Sequence, residues 1–158
     1  MNLLLDTTYL LPAIGVLVEG IPERAPLELH ERGHALFISE ISLFELAAKG
    51  SKYASEGALP SERISKGLKA IIHEKRINKI PLRDADVLSH AIALKAGGIL
   101  SDFIDALILS SALIYCEALV TEDRHIQAAD LNEDFIGMKR ALNPKLGIRS
   151  IKEVLNGA

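Results

Sequence analysis

The sequence predicts an α/β protein: a three-layer α/β/α sandwich with a mainly parallel central sheet of four to five strands, folded as a single domain over residues 1–158. Three observations predict it. Short apolar runs alternate with longer amphipathic segments along the chain, the pattern of parallel strands joined by crossover helices. A length of 158 residues suits one domain, and an apolar share of 49% can build its core. Several apolar runs end on an acid or lead to one, and in open α/β sheets the strand ends carry the ligand site.

The elements follow in order. Asn2-Leu3-Leu4-Leu5 is a buried-strand run stopped by Asp6. Tyr9 to Val18 is apolar and helix-like, with Pro12 tolerable in a first turn. Gly20 to Arg32, with Pro22 and Pro26 among charges, is a loop or a short helix start. Ala35 to Ile38 is a second strand, with Ser39 placed as the N-cap of a helix from Glu40 to Lys49 that stops at Gly50. Ser61 to Lys75 carries Ile64, Leu68, Ile71 and Ile72 on one helical stripe. Ile77 to Leu82 is the third strand.

Asp84 caps a helix closed by Gly97 and Gly98, and Ser101 or Asp102 caps a strongly apolar one running to about Tyr115. Ala118 to Val120 is the fourth strand, and Arg124 to Leu131 a short helix. Asp134 to Met138 reads as a fifth, weaker strand, and the tail from Pro144 as a further strand or helix.

Composition narrows the function. The single cysteine, Cys116, rules out an internal disulfide and a cysteine-built zinc centre. The apolar stretch Leu3 to Val18 lacks a basic leader and is interrupted by Asp6, Thr7, Thr8 and Pro12, so it is not read as a signal peptide. No apolar run is long enough to span a bilayer, and the expected location is the cytoplasm. The net charge of −3 means that a nucleic-acid substrate would need local Lys/Arg clusters or bound metal to attract it.

The acids carry the chemistry. Asp6 ends the first strand, Glu45 lies on the helix after the second, and Asp123 follows the fourth. Asp105 heads an apolar helix, where a carboxylate is costly to bury unless it is paired or metal-bound. Carboxylates gathered in one pocket repel one another, and a hard divalent cation, Mg²⁺ or Mn²⁺, removes that repulsion. Such an ion can activate water and hold a phosphate for in-line attack. Arg124 and Lys49 are candidate phosphate contacts, and Glu122 reads as solvated.

Leu4-Leu5-Asp6-Thr7-Thr8, the run from Ile38 to Leu46, the run from Asp105 to Leu113, and Leu119-Val120-Thr121-Glu122-Asp123 together resemble the PIN domain family, including its VapC-type toxins. The resemblance covers about residues 2 to 138, with residues 139–158 as a C-terminal extension. It implies a metal-dependent ribonuclease whose acidic quartet is Asp6, Glu45, Asp105 and Asp123. It gives Thr8 and Thr121 supporting roles, and leaves Asp102 as a helix cap or an added ligand. It further implies an RNA substrate, a cognate antitoxin and a homodimer. The segments 18 to 34 and after 140 match no motif.

Two other functions compete. A phosphatase of the haloacid-dehalogenase type also opens on a strand-end aspartate, but it wants a second acid where Thr8 stands. A degenerate module that binds RNA or protein without cutting would not need all four acids.

Overall fold

The computed structural model describes residues 1–157. Five strands form one sheet in the order β3-β2-β1-β4-β5, and every neighbouring pair is parallel. They are β1 (Asn2–Leu5), β2 (Ala35–Ser39), β3 (Ile77–Ile80), β4 (Ala118–Val120) and β5 (Gly147–Arg149). Parallel pairing requires each connection to cross back over a face of the sheet, and helices supply the crossovers. These are α1 (Ala25–Glu31), α2 (Glu40–Ser55), α3 (Ser61–His73), α4 (Ala85–Ala96), α5 (Phe103–Tyr115), α6 (Arg124–Ala128) and α7 (Glu133–Leu142); α8 (Ile151–Leu155) follows the last strand.

Successive strand residues point to opposite faces, so the sheet feeds two cores. Leu3, Leu5, Leu36, Ile38, Ala118 and Val120 pack on one face under α1, α2, α3 and α8. Leu4 and Leu119 pack on the other under α4, α5, α6 and α7, with Leu94, Ile108, Ile126 and Phe135. The three-layer reading therefore stands.

The structure corrects several boundaries. Residues 134–138 are not a strand: they lie inside α7. Asn132 accepts hydrogen bonds from the Asp134 and Phe135 backbone N–H groups, Glu133 and Asp134 occupy the first turn, and Lys139 and Arg140 the last. That is the charge order a helix dipole favours. The fifth strand is β5, in the tail, and it extends the sheet beside β4. The tail thus supplies both a strand and a helix.

Helix α2 does not stop at Gly50 but runs on to Ser55. Gly50 serves a different purpose, since a Cβ there would stand 2.5 Å from Ile64 Cγ2 of α3. Gly67 is tighter still, with its would-be Cβ 2.2 Å from the carbonyl oxygen of Ala13. The residues after Asp6 form a 3₁₀ helix, Thr7–Ile14, with Pro12 inside it and Gly15 closing it at φ 96°. Leucine 82 falls outside β3, and the 20–32 segment contains α1. Among the described residues, no helix is long and apolar enough to cross a membrane.

Candidate metal centre

Parallel strands all end at the same edge of a sheet, so residues just beyond β1, β2 and β4 are brought together by topology. Asp6 follows β1, the central strand, and its own backbone N–H bonds Val120 O of β4 at 3.1 Å. Because Leu5 is in register with Val120, the next residues, Asp6 and Thr121, stand side by side. Glu45 comes from the second turn of α2, which starts directly after β2. Helix α5 precedes β4 and so runs against the strand direction. Its first turn, carrying Asp105, therefore reaches the same edge.

Asp6 is 6% exposed, and its carboxylate is held on two sides. Thr7 N–H donates to Oδ1 at 2.7 Å, and the Thr121 hydroxyl donates to Oδ2 at 2.8 Å. Thr121 Oγ1 in turn accepts the Asp123 N–H at 3.0 Å. Burial raises the pKa of Asp6; the bonds from Thr121 and Thr7 oppose the rise, and the charges of Glu45 and Asp123 add to it.

Glu45 is engaged by two donors. The Thr7 hydroxyl donates to Oε2 at 2.5 Å, and Lys49, one turn along α2, pairs with Oε1 at 2.9 Å. Burial works against the Lys49 charge, but the bond and charge of Glu45 prevail and its pKa rises. Asp123 caps α6, accepting the His125 and Ile126 N–H groups on Oδ1.

Asp105 differs from the other three. It is half-buried, and among the described residues its carboxylate accepts no hydrogen bond and forms no salt bridge. Its pKa is raised to about 6, first by burial, then by the negative charges of Asp102, Asp123, Asp6 and Glu45. The four acids of the quartet therefore sense one another as charges. Asp102 caps α5, its Oδ1 accepting Ile104 N–H at 2.7 Å and Asp105 N–H at 3.2 Å.

An all-oxygen carboxylate set around an unpaired, half-buried Asp105 fits a hard divalent cation in donor chemistry and in charge. Among the described residues, no three His, Cys, Asp or Glu side chains converge closely enough to grip an ion in the positions they hold. Glu45 is turned to Lys49 and Thr7, and Asp123 to the α6 backbone.

Two features of the site were not anticipated from the sequence. The hydroxyl that meets Glu45 belongs to Thr7, while Thr8, half-buried beside it, makes no side-chain hydrogen bond among the described residues. Glu122 is exposed, as expected, yet it also accepts the Tyr9 hydroxyl at 2.8 Å and the Ile151 N–H at 2.9 Å. It ties the 3₁₀ helix after Asp6 to α8 in the tail. Cys116 is buried and burial pushes its thiol up to about 12, in keeping with a packing role.

Comparison with known proteins gives three results. A family model described as the PIN domain matches residues 3–131. No curated protein sequence matches the chain. Among solved structures, the chain is similar to the crystal structure of VapBC2 from Rickettsia felis bound to a DNA fragment from their promoter. The TM-score is 0.57 at 21% identity, covering 95% of this chain and 98% of that one. At that identity the likeness is one of fold.

Proposed function

This chain belongs to the PIN domain family, and we propose that it is a Mg²⁺- or Mn²⁺-dependent endoribonuclease, the toxin half of a toxin–antitoxin pair. The observation that carries the reading is Asp105: a half-buried carboxylate without a hydrogen-bond or ion-pair partner among the described residues, its pKa raised first by burial and then by the charges of Asp102, Asp123, Asp6 and Glu45. Such an arrangement costs stability unless a cation enters it. Asp6, Glu45, Asp105 and Asp123 would hold the ion, and Thr121 would orient the Asp6 carboxylate toward it. When bound, the ion would supply charge stabilisation for the phosphodiester and a more acidic water.

The chain's own groups define the rest. Thr121 fixes the Asp6 and Asp123 positions together, so that β1 and β4 present their acids as one unit. Thr7 and Lys49 hold Glu45 near the centre while it is metal-free. Lys49 becomes available for a phosphate once Glu45 turns to the ion.

The toxin assignment draws on the fold shared with the VapBC2 structure; the antitoxin partner and the homodimer proposed with it follow from the family reading. A small DNA-binding protein encoded beside this chain would support it, and sedimentation would test the dimer. The enzymatic assignment is tested by RNA cleavage in Mg²⁺ or Mn²⁺. The unsubstituted chain should cut, and Asp6→Asn and Asp105→Asn should lose cutting by at least ~100-fold, the scale of loss when preorganised electrostatic groups are removed. Equal cleavage by all three would refute it. Folded protein that binds RNA but never cuts it would favour the binding-module reading.

A further inference from the structure

We infer that Glu122 is a positioning residue of the metal centre: it clamps the segment after Asp6 to the segment that carries Asp123, and α8 of the tail holds the clamp closed. The inference rests on the metal-dependent reading above. It adds to the centre's frame a part of the chain, residues 147–155, that lies beyond the residues 3–131 matched by the family model.

Glu122 stands between two residues of the centre, Thr121 and Asp123. One of its carboxylate oxygens, Oε1, accepts both the Tyr9 hydroxyl at 2.8 Å and the Ile151 N–H at 2.9 Å. Hydrogen bonds to a carboxylate are stronger than neutral ones. Each donor belongs to an element with its own anchorage. Tyr9 lies in the 3₁₀ helix directly after Asp6, and its N–H donates to the Asp6 carbonyl oxygen at 3.1 Å. Its ring is buried, so a phenylalanine would fill the same space; the hydroxyl is what reaches Glu122. Ile151 opens α8, where the first N–H groups have no partner within the helix. Ser150 and Glu153 satisfy each other's N–H there as a capping box, and Glu122 takes the N–H of Ile151.

The segments after β1 and β4 are thus joined twice. The inner link is the Thr121 hydroxyl on the Asp6 carboxylate, and the outer link is the Tyr9 hydroxyl on Glu122. One hydrogen bond fixes a distance and leaves a hinge. A second, three residues further along the 3₁₀ helix, fixes the orientation as well. The tail fastens the outer link at two points. Arg149 O of β5 accepts the Thr121 N–H at 2.9 Å, and two residues later the Ile151 N–H meets Glu122. Ile151 and Val154 are buried in one core with Tyr9, Leu3 and Leu5, which anchors α8 to the strand that leads to Asp6. Such a frame matters to a metal, because a working site needs its ligands held to within about 0.5 Å.

The test is Mn²⁺ calorimetry on the full chain and on Glu122→Ala, Glu122→Gln and Tyr9→Phe, with amide hydrogen exchange in EDTA as a second readout. Glu122→Ala should weaken Mn²⁺ binding roughly tenfold, the low end for loss of a group that orients a metal ligand. The amide oxygen of Glu122→Gln can accept the same two bonds, so this variant should recover most of the loss. Tyr9→Phe leaves every charge in place and should still weaken binding, and combined with Glu122→Ala it should add nothing further. In RNA cleavage the loss should fall on kcat with KM unchanged, since Glu122 does not touch the substrate. In EDTA, Glu122→Ala should speed exchange in α8 and also in the 3₁₀ helix after Asp6.

Unchanged Mn²⁺ affinity in Glu122→Ala, or faster exchange confined to α8, would overturn the inference, because Glu122 would then only cap that helix. Glu122→Gln as weak as Glu122→Ala would overturn it too, since the effect would be one of charge. If the unsubstituted chain binds no Mn²⁺, it is the metal-dependent reading that fails; exchange beside Asp6 in EDTA still decides the clamp on its own.

Discussion

The Thr121 hydroxyl donates to the Asp6 carboxylate at 2.8 Å while accepting the Asp123 N–H at 3.0 Å, so one side chain joins two acids from neighbouring strands. Thr121 is fully buried and Asp6 nearly so. Replacing Thr121 by valine keeps the shape, strips Asp6 of its side-chain donor and leaves the Asp123 N–H without its acceptor. We expect a loss of about 1–3 kcal/mol in metal-free stability, the usual range for a hydrogen bond to a charged group. Urea denaturation in EDTA measures it, and a variant as stable as the parent would show that the bond holds nothing.

Asp105 gives the metal-free protein a pH dependence of known sign. Its pKa stands at about 6 against an ordinary 3.8, so between these values the folded chain binds more protons than the unfolded one. This group's contribution to stability therefore falls as pH rises through that window, and the penalty is complete above the folded pKa. Asp105→Asn removes the ionisation. In EDTA the variant should melt above the parent near pH 8, and the gap should close as pH falls toward about 4. A gap that does not change with pH would contradict the burial and crowding assigned to Asp105.

Lys49 occupies an oxygen of Glu45 that a metal would need, and it places a positive charge beside the centre. Its side chain is 43% exposed, so the pair adds little to stability. Lys49→Met should leave the melting temperature nearly unchanged and raise Mn²⁺ affinity, as read by calorimetry. Weaker Mn²⁺ binding in the variant would show that Lys49 helps to build the site rather than competing for it.

Gly67 lets α3 lie directly on the 3₁₀ helix that follows Asp6. A methyl group there would come within 2.2 Å of the Ala13 carbonyl oxygen, which belongs to backbone and cannot swing aside. Gly67→Ala should destabilise by about 3 kcal/mol, at the upper end of overpacking. Because the shifted segment begins at Thr7, cleavage should fall with stability. An unaffected melting temperature would mean that the two elements part without cost.

The fold was legible where one physical signal dominated. Apolar runs such as Leu3 to Leu5 and Ala118 to Val120 are too short for helices and end on polar residues, and both are strands. Asp6 was conspicuous for the same reason, as a carboxylate directly after a buried run, whereas Glu45 lies within α2 and Asp105 in the first turn of α5, where the run of residues alone marks them less sharply. Asp134 to Met138 misled, because its short apolar run resembles a strand; the deciding signal was the Asn132 cap outside it. Gly50 reads locally as a stop, and only the approach of Ile64 explains why α2 passes through it.

The rest of the site was hidden because it depends on distance in space. Glu122 meets Tyr9 across 113 positions, a pairing that no local pattern encodes. The choice between Thr7 and Thr8 depends on the turn after Asp6, which winds as a 3₁₀ helix and directs Thr7 at Glu45. That Asp105 has no donor among the described residues also appears only once its neighbours are in place.

The central claim is that these acids hold a divalent cation, and a crystal soaked in Mn²⁺ tests it most directly. An anomalous peak is expected between Asp6 and Asp105, with carboxylate oxygens at about 2.0–2.2 Å from the ion. A well-ordered soaked crystal with no peak there, or with Mn²⁺ bound only elsewhere, would contradict it.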